Sequence, residues 1–189
     1  MIKFVLRVFF IFFFCPQVLF AFPFTTVKRD IDKTGPVLLI TAGIHGDEPA
    51  AFSAAGMLIN NYTITSGRVW IVPNLNFQSI LHTSRGIAGD MNRKFLGTNK
   101  NDPDYVNLEA IKNLILDPDV DFIYSMHDGM GFYREKHSST LYSPYRWGQS
   151  IVIDQESLDS SIPHHNLKEL GTKIVENINT KLIAKHESY

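Results

Sequence analysis

The chain has 189 residues, 44% of them hydrophobic, and a formal net charge of −1. That balance contains no basic stripe for nucleic acid, and the apolar fraction is too high for disorder. A single Cys excludes a disulfide framework and a thiolate metal cluster, and the length suffices for one domain with its own core.

The apolar residues are unevenly spread. Nine of the 14 Phe fall in residues 1–24, and 19 of those 24 residues are apolar. Lys3 and Arg7 make a basic start, residues 8–15 are a solid apolar run, and Pro16-Gln17 interrupts it before residues 18–22 resume it. The uninterrupted stretch falls short of the roughly 20 residues that a spanning helix needs. The segment reads as a signal peptide over residues 1–21, ending at Ala21, with an uncleaved anchor as the rival reading. Export is the expected fate, with no stable membrane span once the signal is removed. Cys15 follows Phe14 rather than a small residue, which disfavours lipoprotein processing, and its removal leaves a Cys-free chain suited to an oxidising compartment.

Residues 22–189 read as one domain. Residues 36–43 are a β-rich apolar run ending at Gly43, which predicts a buried strand. Residues 49–60 are Ala-rich and start with Pro, which predicts a helix capped by Asp47. A second strand is predicted over 68–72, stopped by Pro73. Residues 74–103 show no clean period and read as a long loop of the kind that carries function. Helical spacing returns over 105–116, a third buried strand is predicted over 120–126, and residues 128–150 read as loop with a hairpin. A last helical pattern runs over 167–182. Strand–helix–strand–helix–strand order predicts an α/β domain with a mixed central sheet and helices on both faces.

The chemistry concentrates at the predicted strand ends. His45 and Glu48 follow a buried strand and open a helix, where side chains three apart can converge. Imidazole and carboxylate are good zinc ligands, and an open zinc site needs three protein ligands. His127, at the end of the third strand, is a candidate for the third. Arg85, Asn92 and Arg93 lie in the intervening loop, where an arginine fork and an amide donor can grip a carboxylate or an oxyanion. Taken by themselves, these residues are better explained by a solvated loop with two routine arginines. Asp47 and Asp128 adjoin the candidate ligands, either orienting a His or serving as a helix cap and a turn residue. Tyr145 and Trp147 are expected in a packed loop, with a groove wall as the other reading. His164 and His165 read as surface.

His45-Gly46-Asp47-Glu48, Pro73-Asn74, Arg85, Asp90-Met91-Asn92-Arg93 and His127, in this order, resemble the carboxypeptidase A-type zinc peptidases. The resemblance spans about residues 36–130. The short interval from His45 to His127 is most similar to compact bacterial members, among them exported peptidoglycan D,L-carboxypeptidases that influence cell shape. The resemblance implies zinc on His45, Glu48 and His127. It implies that Arg85 polarises the scissile carbonyl and steadies the oxyanion, while Asn92 and Arg93 bind the terminal carboxylate. The implied substrate is a peptidoglycan stem tripeptide or muropeptide, cut to a dipeptide with release of meso-diaminopimelate.

One departure stands out. The family's general base is a Glu well downstream of the third ligand, and none of Glu135, Glu156, Glu169, Glu176 or Glu187 has that setting. The expectation is therefore a chain equivalent to the N-terminal part of a longer enzyme, able to bind zinc but slow by itself. Two other readings compete. One is an N-acyl amino-acid deacylase of the aspartoacylase/succinylglutamate desuccinylase type. The other is a truncated, inactive product that binds zinc or muropeptide.

Overall fold

A computed structural model of the chain describes residues 23–148, 150–158 and 165–181. The predicted signal peptide and His164 lie outside the described residues. The central sheet has four strands, β1 (Val27–Asp30), β2 (Val37–Thr41), β3 (Arg68–Val72) and β4 (Val120–Ser125), in the order β1-β3-β2-β4. β2 pairs in parallel with β3 on one side and β4 on the other, while β1 runs antiparallel to β3. The sheet is therefore mixed, as predicted.

Two long helices connect the parallel strands and cover opposite faces. Helix α1 (Pro49–Asn61) lays Ala51 and Ala55 on Ile40 and Ile71. On the other face, α3 (Tyr105–Ile115) lays Leu108 and Ile111 on Val37, Leu39, Trp70 and Val72. The alternation along β2 explains the split, because successive residues of a strand point to opposite faces. With both faces covered, β2 and β3 read as unbroken apolar runs rather than as alternating ones. After β2 the chain crosses to β3, and after β3 it returns past β2 to β4. The strand order thus reverses at the C-terminal ends of β2 and β4, the place where open α/β sheets form their ligand crevice.

The structure departs from expectation in four respects. The sequence pattern missed β1, an edge strand of sequence VKRD held by backbone pairing and by Lys28 stacked over the Trp70 ring. Trp70 Nε1 in turn donates to Asp30. The long loop contains a short helix, α2 (Phe77–Leu81), capped by Asn76, and a 3-10 turn (Met91–Arg93) capped by Asp90. Side-chain caps of this kind leave no hydrophobic period to read. β4 is a strand, but not a buried one: it is the sheet's last strand, with Ile123 and Tyr124 exposed. Finally, the expected hairpin is a two-residue ladder between β5 (Phe132–Tyr133) and β6 (Tyr142–Ser143), and it is parallel. Helix α4 (Leu167–Lys181) matches its predicted pattern but buries none of its residues fully. Among the described residues no helix is long and apolar enough to cross a membrane.

Leu108 is fully buried beneath β2 and β3. Leu108→Ala should cost about 2–5 kcal/mol through lost burial and the cavity left behind. Urea unfolding of the two proteins checks this.

Candidate metal centre

The site forms where the chain leaves β2 and β4. A left-handed Gly43 (φ 72°) turns the chain at the end of β2, and a Cβ there would lie 2.9 Å from the Pro73 carbonyl oxygen. His45 follows, fully buried. Gly46 comes next because the backbone of α2 sits against it: an added Cβ would meet the Ser79 carbonyl oxygen at 1.8 Å. Its amide donates to the Ser84 carbonyl at 2.8 Å. Thr83, one residue earlier, adopts φ 47°, a costly conformation for a β-branched residue. That turn carries Arg85 back toward the end of β2, an instance of backbone strain held at a site by its surroundings.

His45, Glu48 and His127 each present one ligand atom, and these atoms all lie within 4.8 Å of one another. The two rings have centroids 5.1 Å apart. Glu48 is the hub. Its Oε1 lies 2.8 Å from His45 Nδ1, and its Oε2 lies 2.8 Å from His127 Nδ1. Arg85 Nη1 donates to Oε1 at 3.1 Å, and the Asp128 amide donates to Oε2 at 3.2 Å. Burial pushes the Glu48 pKa up. The hydrogen bond from His127, the charges of both imidazoles and the Asp128 amide outweigh it, so the carboxyl sits below its ordinary value. The Glu48 and His45 side chains are almost fully enclosed, whereas His127 keeps 34% of its side chain exposed. The cluster therefore opens on the His127 side.

Asp90, not Asp47 or Asp128, orients the first histidine. Its Oδ1 lies 2.8 Å from His45 Nε2 and accepts from the Asn92 amide, and its Oδ2 accepts from Arg85 Nε at 3.0 Å. A proton on Nε2 donated to Asp90 leaves the Nδ1 lone pair facing Glu48 and His127, as a metal ligand requires. Burial raises the Asp90 pKa, but the bonds from His45, Arg85 and the Asn92 amide prevail and hold it at about 2. Asp90 was legible only as a member of Asp90-Met91-Asn92-Arg93. Its link to His45 spans 45 residues, beyond the reach of any local pattern.

The neighbouring acids have other uses. Asp47 is exposed and does not cap α1, whose N-cap residue is Glu48 with no side-chain bond. The cap comes instead from across the site: Asp128 Oδ2 accepts from the Ala50 amide at 2.9 Å. A local-sequence reading favours Asp47 because it cannot see a residue 78 positions away. Asn92 is half-buried and Arg93 exposed on the 3-10 turn next to Asp90. Tyr145 and Trp147 are not packed away. They are 83% and 65% exposed and border a hollow of about 1040 Å³ that also touches His127 and Asp128. His165 is half-buried. Among the later acids, Glu156 pairs with Lys168 and Glu169 with Lys173.

The donor set fits a divalent metal of the zinc type: two imidazoles and one carboxylate, convergent, with one open side. The chain matches, over residues 2–189, the family described as "Carboxypeptidase controlling helical cell shape catalytic". Among solved structures it is similar to the tripeptide-bound cell shape determinant Csd4 of Helicobacter pylori. The two are 37% identical with a TM-score of 0.79, over 88% of this chain and 41% of that one. The mDAP-bound form of Csd4, described as a D,L-carboxypeptidase, matches at 37% identity and a TM-score of 0.78, over 86% of this chain and 40% of that one. Among curated proteins it is 35% identical over 115 residues to an N-alpha-acetyl-L-2,4-diaminobutyric acid deacetylase of Halomonas elongata, covering 57% of this chain and 32% of the relative. The chain thus spans about two fifths of the solved relatives' length and about a third of the curated one's.

Two outcomes follow from Asp90. Asp90→Asn should weaken zinc binding about 10–100-fold, the usual cost of losing a carboxylate behind a ligand His; competition against a chromogenic chelator measures it. Asp90 also stabilises the fold through its depressed pKa. The folded value of about 2 lies below the ordinary 3.8, so this contribution is complete above about pH 4 and is lost as pH falls toward 2. It amounts to roughly 2 kcal/mol at most. The stability gap between wild type and Asp90→Asn, measured by urea unfolding, should narrow across that window.

Proposed function

Since the chain belongs to the family of carboxypeptidases controlling helical cell shape, we propose that it is the metal-binding part of a zinc carboxypeptidase acting on peptidoglycan stem peptides. The observation that carries this reading is the convergence of His45, Glu48 and His127 within 4.8 Å, with Arg85 bonded to the same carboxylate. His45, Glu48 and His127 would hold the zinc. Bound there, zinc supplies Lewis-acid polarisation of the scissile carbonyl and a nucleophile at neutral pH.

The chain's own residues then divide the remaining work. Arg85 is tethered by Asp90 beside the cluster and 49% exposed at its side chain, so its guanidinium can donate to an oxyanion forming next to the ligands. Asn92 and Arg93 stand on the turn that Asp90 caps. An exposed fork and an amide donor there suit a free terminal carboxylate, which fixes the peptide end relative to the metal ligands. The solved relatives bound to tripeptide and to mDAP support a stem tripeptide as the substrate and meso-diaminopimelate as the released end. The basic and apolar N-terminal residues support action in the periplasm, where peptidoglycan lies. Similarity to a deacetylase over part of the chain favours a second reading, hydrolysis of an N-acyl amino acid by the same ligands. The tripeptide-bound relative, matched over more of this chain, supports the first.

The test loads the protein with zinc and follows release of meso-diaminopimelate from muropeptide tripeptide, with N-acetyl-diaminobutyrate as the rival substrate. In a form extended downstream to the length of the solved relatives, tripeptide should be cleaved, and amidating its terminal carboxylate should lower kcat/KM at least tenfold, about 1.4 kcal/mol. Equal turnover of acid and amide would remove Asn92 and Arg93 from substrate recognition. Preference for the N-acetyl substrate would establish the second reading. His45→Ala with His127→Ala should abolish zinc binding, and retained stoichiometric zinc would refute the ligand assignment.

A further inference from the structure

Beyond the metal cluster lies a second polar assembly with no assigned role. Lys94 ends the 3-10 turn that carries Asn92 and Arg93. Only 14% of its side chain is exposed, and its Nζ donates to Asp102 Oδ1 at 2.8 Å and to Asp104 Oδ2 at 2.7 Å. Asp104 is buried, and its Oδ1 accepts from Asn76 Nδ2 at 3.1 Å. Asn76 is buried as well. Its own amide donates to the Gly43 carbonyl at 2.8 Å, two residues before His45, and its Oδ1 caps α2.

A continuous hydrogen-bonded path therefore runs from the end of β2 through Asn76 and Asp104 to Lys94. A cation this enclosed between two carboxylates is costly to leave half-paired, so the geometry is tightly held. At its other end the turn is fixed by Asp90, which caps it and contacts His45. Of the three residues between these anchors, Asn92 and Arg93 beside the buried Met91 have few ways to move relative to the ligands. Positioning to within a fraction of an ångström is what carboxylate recognition beside a reacting centre demands.

We propose that Lys94, clamped by Asp102 and Asp104, is a positioning residue that holds Asn92 and Arg93 at their working distance from His45, Glu48 and His127, and so sets the preference for a free carboxylate. This rests on the assignment of Asn92 and Arg93 to carboxylate binding made above. Lys94 touches no substrate. Its effect should pass through the turn, leaving the metal ligands intact.

The experiment uses the zinc-loaded protein and its Lys94→Met, Lys94→Arg and Arg93→Gln variants. Three quantities are read: zinc content, the dissociation constant for meso-diaminopimelate by calorimetry, and amide exchange at Asn92, Arg93 and Lys94. Lys94→Met should keep its zinc, bind meso-diaminopimelate at least tenfold more weakly and exchange those three amides at least tenfold faster. Lys94→Arg, which can still reach both carboxylates, should recover binding to within about threefold of wild type. Wild-type binding and exchange in Lys94→Met would overturn the proposal. So would loss of zinc together with ligand in both Lys94 variants, which marks a merely structural residue. If wild type and Arg93→Gln bind alike, the carboxylate grip itself fails and this inference fails with it, a result separate from Lys94→Met matching a wild type that does respond to Arg93→Gln.

Discussion

The site depends on one buried carboxylate. Glu48 faces His45 with one oxygen and His127 with the other, and each oxygen accepts a further bond, from Arg85 or from the Asp128 amide. A carboxylate enclosed to this degree is expensive unless every lone pair is used. Here the partners come from three separate places in the chain: His45 after β2, Arg85 in the turn after α2, and the adjacent His127 and Asp128 after β4. Satisfying Glu48 therefore assembles the centre and ties the two parallel strand ends together in the same step.

The surrounding backbone is shaped for that assembly. Gly46 lets α2 come so close that no side chain would fit between them, and the Ser84 carbonyl then receives the Gly46 amide. Thr83 takes up strain so that Arg85 can reach Glu48 and Asp90 together. Asp90 serves three donors at once: the first histidine, the arginine and the amide of Asn92. His45, Arg85 and the turn bearing Asn92 and Arg93 are thus mechanically linked through a single side chain, and Asp128 adds a link to the start of α1.

The difference in burial between β4 and the two inner strands has a plain geometric origin. β2 and β3 have helices on both faces and strands on both sides, so they are largely buried. Among the described residues β4 pairs only with β2, and its second half is exposed. The apolar sequence of residues 120–126 reads the same in either position, because hydrophobicity records a preference for burial and not the neighbour that supplies it. The exposed Tyr145 and Trp147 illustrate the same limit.

The sequence by itself determined the α/β class and the central strands and long helices to within a residue or two, and it offered His45, Glu48 and His127 as candidate ligands. Each of these rests on short-range signals: unbroken apolar runs, helical spacing, and ligand types set at strand ends. Tertiary structure alone decided the rest. The edge strand β1 exists because β3 offers it a ladder and Trp70 a ring. The cap of α1 passed from Asp47 to Asp128, and the orientation of His45 fell to Asp90, because hydrogen bonds are awarded by proximity in space. The clamp joining Asn76, Asp104 and Lys94 spans 28 residues of chain with no periodicity to announce it. Local chemistry in the sequence selects which residues can do the work; the crossing of β3 past β2 to β4 decides which of them meet.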